Sequence, residues 1–115
     1  MIAIIFEFTP HPDRVDQYFD LAAEMRAHLG RMDGFVSVER FESVSTPGKF
    51  VSLSFWRDEA AVAAWRALPE HREAQATGRR EVLAAYRLRV AGVLRDYGRD
   101  ARDEAPADSR AIHDA

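Results

Sequence analysis

Residues 35–56, FVSVERFESVSTPGKFVSLSFW, decide the fold. From Phe35 to Glu42 the residues alternate as a strand does. Val36 and Val38 share one face, and Phe35, Ser37, Glu39 and Phe41 the other. Ser45-Thr46-Pro47-Gly48 is a turn. Phe50 to Trp56 alternates again, with Val51, Leu53 and Phe55 against Phe50, Ser52, Ser54 and Trp56. Two such runs joined by a short turn form an antiparallel hairpin.

Upstream, Ile2 to Thr9 is a strand that ends at Pro10. Ile2, Ile4, Phe6 and Phe8 point one way, and Ala3, Ile5, Glu7 and Thr9 the other. Both faces are apolar as far as Ile5, so both need cover. His11-Pro12-Asp13 starts a helix. In it Val15, Tyr18, Phe19, Ala22, Met25 and Leu29 recur every three or four residues. Gly30 stops it, and Asp33-Gly34 turns into the hairpin. Downstream, Asp58 is a good N-cap for a short helix with Val62, Trp65 and Leu68. Pro69 interrupts that helix. A second piece runs from Glu70 towards Leu83, weakened at Gly78. Tyr86 to Leu94 alternates as the last strand.

The order is β-α-β-β-α-β. It predicts an α+β, ferredoxin-like fold: a four-stranded antiparallel sheet with helices on one face. The open face would carry residues such as Phe41, Ser52, Ser54 and Trp56, or the opposite set. Large apolar side chains there call for a second sheet packed face to face, supplied most simply by a homodimer.

At 115 residues and 47% hydrophobic, the chain suits one small domain. Its net charge of −3 offers no electrostatic footprint for nucleic acid. It has no cysteine, which excludes disulfides, thiolate metal sites and cysteine nucleophiles. No apolar run reaches the ~20 residues of a membrane span. The first strand has neither a basic segment before it nor a small-residue cleavage site after it, so it reads as a strand and not as a signal peptide. A cytoplasmic location is expected. Residues 1–97 read as the domain. Residues 98–115 read as a polar tail, disordered or draped on the partner subunit; Ile112 is its one large apolar residue.

The run Ser54-Phe55-Trp56-Arg57-Asp58-Glu59, then Trp65, then Leu68-Pro69-Glu70-His71, resembles the antibiotic biosynthesis monooxygenase (ABM) family. Asp33-Gly34-Phe35 before a strand containing Glu39 is similar too. The resemblance spans 1–97 and belongs to the dimeric α+β barrel superfamily. It implies a homodimer with a pocket in each subunit between sheet and helices. Family activities include cofactor-independent oxygenation of phenols or quinols and haem degradation, and some members have no known reaction. The resemblance therefore fixes fold better than function.

The haem-degrading branch implies an asparagine late in the first strand, a tryptophan on the second helix and a histidine ligand at position 75. Trp65 matches the tryptophan. Position 75 is Gln75, and the first strand ends Phe6-Glu7-Phe8. Glutamine is a poor haem ligand, so haem handling is disfavoured. The metal-free oxygenase branch implies an apolar pocket, a base and groups that steady an oxyanion.

His71 is the candidate base, since a neutral imidazole accepts a phenolic proton. The bland alternative is a helix-start histidine bonded to the backbone. Trp65 and Trp56 are candidate walls for a flat ligand; their spacing also fits core. Ser52 and Ser54 leave room for a ligand or pack beneath a sheet. Arg57 and Arg66 either hold a substrate oxygen or are solvated. The expected function is a monooxygenase acting on a small aromatic or quinone-like substrate, with no metal, flavin or other cofactor. A non-catalytic small-ligand-binding or stress-response barrel is the alternative.

Overall fold

A computed structural model describes residues 1–114. The elements are β1 (Ile2–Pro10), α1 (Val15–Leu29), β2 (Phe35–Glu42), β3 (Phe50–Trp56), α2 (Glu59–Ala67), α3 (Pro69–Thr77), β4 (Leu83–Gly92) and α4 (Ala107–His113). A 3-10 turn, Pro12–Arg14, leads into α1, and a π-helical turn, Gly78–Val82, links α3 to β4. The strands form one antiparallel sheet in the order β2-β3-β1-β4. This is the ferredoxin-like α+β arrangement expected from the pattern.

Cross-strand register assigns the two faces. Phe6 lies opposite Ser52 and Leu88, and Arg40 opposite Ser52. Ile4 lies opposite Ser54 and Val90, and Val38 opposite Ser54. These residues face the helices. Every sheet residue in the core beneath the helices comes from this face: Ile2, Ile4, Phe35, Val38 and Trp56 pack with Leu29, Ala61, Val62 and Trp65. A second aromatic cluster surrounds Phe8, which is 1% exposed, with Phe6, Tyr18 and Phe50 at ring distances of 5.1, 4.3 and 5.6 Å.

The opposite face carries Ala3, Ile5, Val51, Leu53, Phe55 and Phe41. The set with Ser52, Ser54 and Trp56 therefore lies under the helices, and its opposite is the open one. Phe41 belongs with Val51, not with Trp56. Phe35 also changes sides. A bulge between Phe35 and Ser37 places it across from Trp56, with the rings edge to face at 5.4 Å. An inserted residue inverts the alternation on one side of a bulge.

The boundaries around β4 depart from the pattern, and the strand ends at Gly92 and not at Leu94. α3 ends at Thr77, and the π turn carries the chain to Val82, which is fully buried. The Val82 carbonyl accepts the His11 N–H at 2.8 Å, so β4 starts at Leu83, three residues before Tyr86. Beyond β4 the tail is not featureless coil. Arg102 donates to Asp114, to the Gly98 carbonyl and to Ser109, at 2.9, 3.0 and 2.6 Å, and lies over the Tyr97 ring. Arg110 donates to the Ala105 and Arg102 carbonyls at 3.0 and 2.6 Å. Arginine forks thus close the α4 segment on its own backbone, where an apolar core is lacking.

Candidate functional site

Short local signals place each wall of the site. Asp58 caps α2: its side chain accepts the Ala61 N–H at 2.9 Å. That helix carries Trp65 inward. Pro69 has no N–H to lose at the first position of α3, so the chain can bend there and start again. Leu68 donates to the Trp65 carbonyl at 3.1 Å, and Arg72 Nε to the Arg66 carbonyl at 3.3 Å, which ties the two helices together. The bend brings His71 beside Trp65, with ring centroids 4.8 Å apart.

Between the helices and the inner sheet face lies a cavity of about 280 Å³. His71, Trp65, Trp56, Ser52, Ser54, Arg66 and Gln75 all line it. The structure thus gathers six of the residues weighed from sequence, and Gln75 with them. Trp65 serves both readings: it packs on the core and forms a wall, 6.3 Å from Trp56. Trp56 is 2% exposed and donates its indole N–H to Ser54 Oγ at 3.0 Å. The Ser54 hydroxyl thus accepts from Trp56 and keeps its own proton to donate.

Arg57 lies elsewhere. Its guanidinium donates to Asp33 at 3.1 and 3.0 Å and to Asp58 at 3.2 Å, outside the cavity. The strand ends at Trp56, so the next side chain turns out to clamp the Asp33-Gly34 turn. Its own pKa is pushed up by Asp33 first and Asp58 second.

His71 Nδ1 is buried and has no hydrogen-bond partner among the described residues. Burial lowers its pKa below the usual 6.5; the nearby Arg66 carbonyl raises it in part, and the Arg66 charge lowers it further. The imidazole is therefore neutral near pH 7, the form a base requires.

Two residues that the sequence reading left unassigned also enter. Arg40 reaches in from β2 and Tyr18 from α1. Burial raises the Tyr18 pKa, and a hydrogen bond and charge from Arg40 oppose the rise. Arg40 Nε is buried without a partner. The strand signal was available, since Arg40 has the parity of Val38. Among the described residues no three His, Cys, Asp or Glu side chains gather as metal ligands, and no helix is long and apolar enough to cross a membrane.

The fold and the walled cavity define a class: ferredoxin-like α+β domains with a pocket between sheet and helices. Residues 1–77 match the family model described as antibiotic biosynthesis monooxygenase. A protein of Pyricularia oryzae named jasmonate monooxygenase ABM is 45% identical over 93 residues. That stretch is 81% of this chain, which spans only 43% of that relative's length. The chain belongs to the ABM family. Among solved structures, Rv0793 from Mycobacterium tuberculosis superposes with a TM-score of 0.75 at 24% identity, covering 84% of this chain and 98% of that one. A structure named as an antibiotic biosynthesis monooxygenase gives 0.71 at 17% identity, covering 82% and 99%. At those identities the superpositions speak for the fold.

Proposed function

We propose that this chain is a cytoplasmic, metal- and flavin-independent monooxygenase acting on a small, largely apolar substrate with an acidic C–H or O–H. The observation that carries the reading is His71: a neutral imidazole with a buried, unpartnered nitrogen, held by Trp65 in the cavity wall. Family membership supports the reaction class. Aromatic and quinone-like substrates suit the Trp65 wall, and the named relative adds jasmonate as a candidate.

The chemistry balances without a cofactor. His71 takes a proton from an activated CH₂ or a phenol. The substrate anion gives its electrons to dioxygen and forms a C–O bond. Cleavage of the O–O bond leaves one oxygen on carbon as a carbonyl, and the other departs as water with the two hydrogens. Apolar side chains make up most of the walls, and Tyr86, Leu88 and Val90 stay about half exposed at the mouth. Oxygen uptake with candidate quinols and with jasmonate, in wild type and His71→Ala, tests this. Uptake that falls by about 10²–10⁴-fold in the variant supports the base role. Equal rates in both remove His71 from the mechanism.

We also propose that two copies pair through the open sheet face. The chain exposes 7943 Å², against about 6,300 Å² for a compact monomer of its mass. The excess is larger than the roughly 800 Å² that each partner buries in a standard interface. The radius of gyration is 16.8 Å, against about 13 Å for a compact domain of this length. The 98–114 segment supplies part of that extension. In this reading it lies on the partner, which would cover Ile112, 72% exposed.

A further inference from the structure

We propose that Arg40 and Tyr18 form an anion seat, so that the cavity selects a small apolar molecule bearing one carboxylate or an equivalent planar anion. This rests on the reading of the cavity as a substrate site and names the class of ligand it takes. Four arginines line the cavity, Arg26, Arg40, Arg66 and Arg79, and no aspartate or glutamate does. Arg26, Arg66 and Arg79 stand on exposed positions at its rim. Arg40 is the one that comes through the sheet face, flanked by Val38 and opposite Ser52.

A guanidinium stays charged under all ordinary conditions and presents five donors with no acceptor. Arg40 is half-buried, and burying even part of a guanidinium without a counterion carries a cost. Yet Arg40 makes no ion pair among the described residues, and its Nε is buried with no acceptor. Tyr18 is the polar group facing it. Because Arg40 can only donate, in a bond between the two the phenol oxygen would accept and the phenol O–H would be left to donate onward. Arg40, Tyr18 and Ser52 thus supply donors to the cavity lining, with Arg40 opposite Ser52, and no aspartate or glutamate lines it. A planar carboxylate accepts from a guanidinium fork and a hydroxyl together.

The register gives the reach. Arg40 and Ser52 lie in the row of Phe6, and Trp56 in the row of Ile2, four residues along β1. At about 3.3 Å per residue the rows stand roughly 13 Å apart. Trp65 and His71 cluster at the Trp56 end. A ligand anchored at Arg40 therefore offers its far end to His71 when it is on the order of 10 Å long. The cavity of about 280 Å³ equals about nine water volumes, which suits on the order of ten to fifteen non-hydrogen atoms.

1-Naphthylacetate and its neutral amide match that size and differ in the anion alone. Titration calorimetry of both into wild type, Arg40→Met, Arg40→Lys and Tyr18→Phe tests the seat. We expect the acid to bind wild type about ten- to a hundredfold tighter than the amide. Arg40→Met should abolish that preference, Arg40→Lys keep part of it, and Tyr18→Phe weaken the acid a few-fold. Without ligand, Arg40→Met should melt at or above the wild-type temperature, which shows that it folds and that a strained charge has gone. Equal binding of acid and amide, or a preference that survives Arg40→Met, overturns the seat. Oxygen uptake with acidic and neutral substrates separates the two readings. Acid-selective binding in a protein that never consumes oxygen keeps the seat and removes the monooxygenase. Uptake that ignores both the substrate's anion and Arg40→Met keeps the monooxygenase and removes the seat.

Discussion

Gly34 is the position where one added methyl should cost most for its size. Its φ is +86°, and so is that of Gly48. A Cβ at Gly48 meets open space; at Gly34 it would stand 2.6 Å from Ala61 Cβ. Ala61 is 5% exposed, and its N–H is held by the Asp58 cap at 2.9 Å. The Gly34 carbonyl accepts the Arg57 N–H at 2.8 Å, so the turn cannot swing away either. Relief therefore requires α2 to move, and α2 carries Trp65. The left-handed backbone alone costs an alanine about 1–2 kcal/mol. Forcing a methyl into filled space adds about 1–3 kcal/mol. With an unfolding entropy of about 0.24 kcal/mol/K for a chain this long, Gly48→Ala should lower Tm by about 4–8 °C and Gly34→Ala by about 8–20 °C. Differential scanning calorimetry at matched protein concentration measures both, since pairing would make Tm concentration-dependent. Midpoints for the two variants within about 2 °C of each other would refute the reasoning, because the backbone cost is common to both and the contact is not.

Three further outcomes are expected. Phe8→Ala removes a ring stacked among Phe6, Tyr18 and Phe50 and should cost about 3–5 kcal/mol in urea unfolding; a loss below about 1 kcal/mol would mean that the site collapses. His71 should titrate below 6.5 by proton NMR. Its folded pKa is depressed, so the unfolded chain binds the extra proton first; its contribution to stability is complete above 6.5 and is lost as pH falls through the folded pKa. A titration at or above 6.5 contradicts the buried, neutral assignment. Leu53→Arg, on the open face, should yield a monomer by light scattering with an unchanged far-ultraviolet spectrum; an intact dimer would place the interface elsewhere.

Much of the fold was legible because it depends on short-range periodicity. The three- and four-residue spacing of Val15 to Leu29 gave the limits of α1, and Asp58 and Pro69 marked both ends of α2. What failed depended on partners distant in sequence. The bulge beside Phe35 exists only against β3. The start of β4 depends on Val82 accepting from His11 across the fold. Arg57, weighed as a holder of a substrate oxygen or a solvated arginine, pairs with Asp33, 24 residues earlier. The tail was read from its low apolar content, and two arginines bonding to backbone carbonyls leave no such trace.

The candidate site was half legible for the same reason, and the missing half changes its chemistry. His71 and Trp65 stand out in sequence because proline and tryptophan are rare markers; Arg40 looks like one more solvated strand arginine until the helices are laid over its face. Together they make a coherent electrostatic arrangement. Burial and the Arg66 charge both disfavour a proton on His71, so the base stays neutral. The same arginines favour negative charge on a ligand held within low-dielectric walls, where such interactions are stronger than in water. An aspartate in the wall would spoil both effects: it would raise the His71 pKa and neutralise Arg40. A lining that holds four arginines and no carboxylate is therefore what one cavity needs to take a proton and keep the resulting anion.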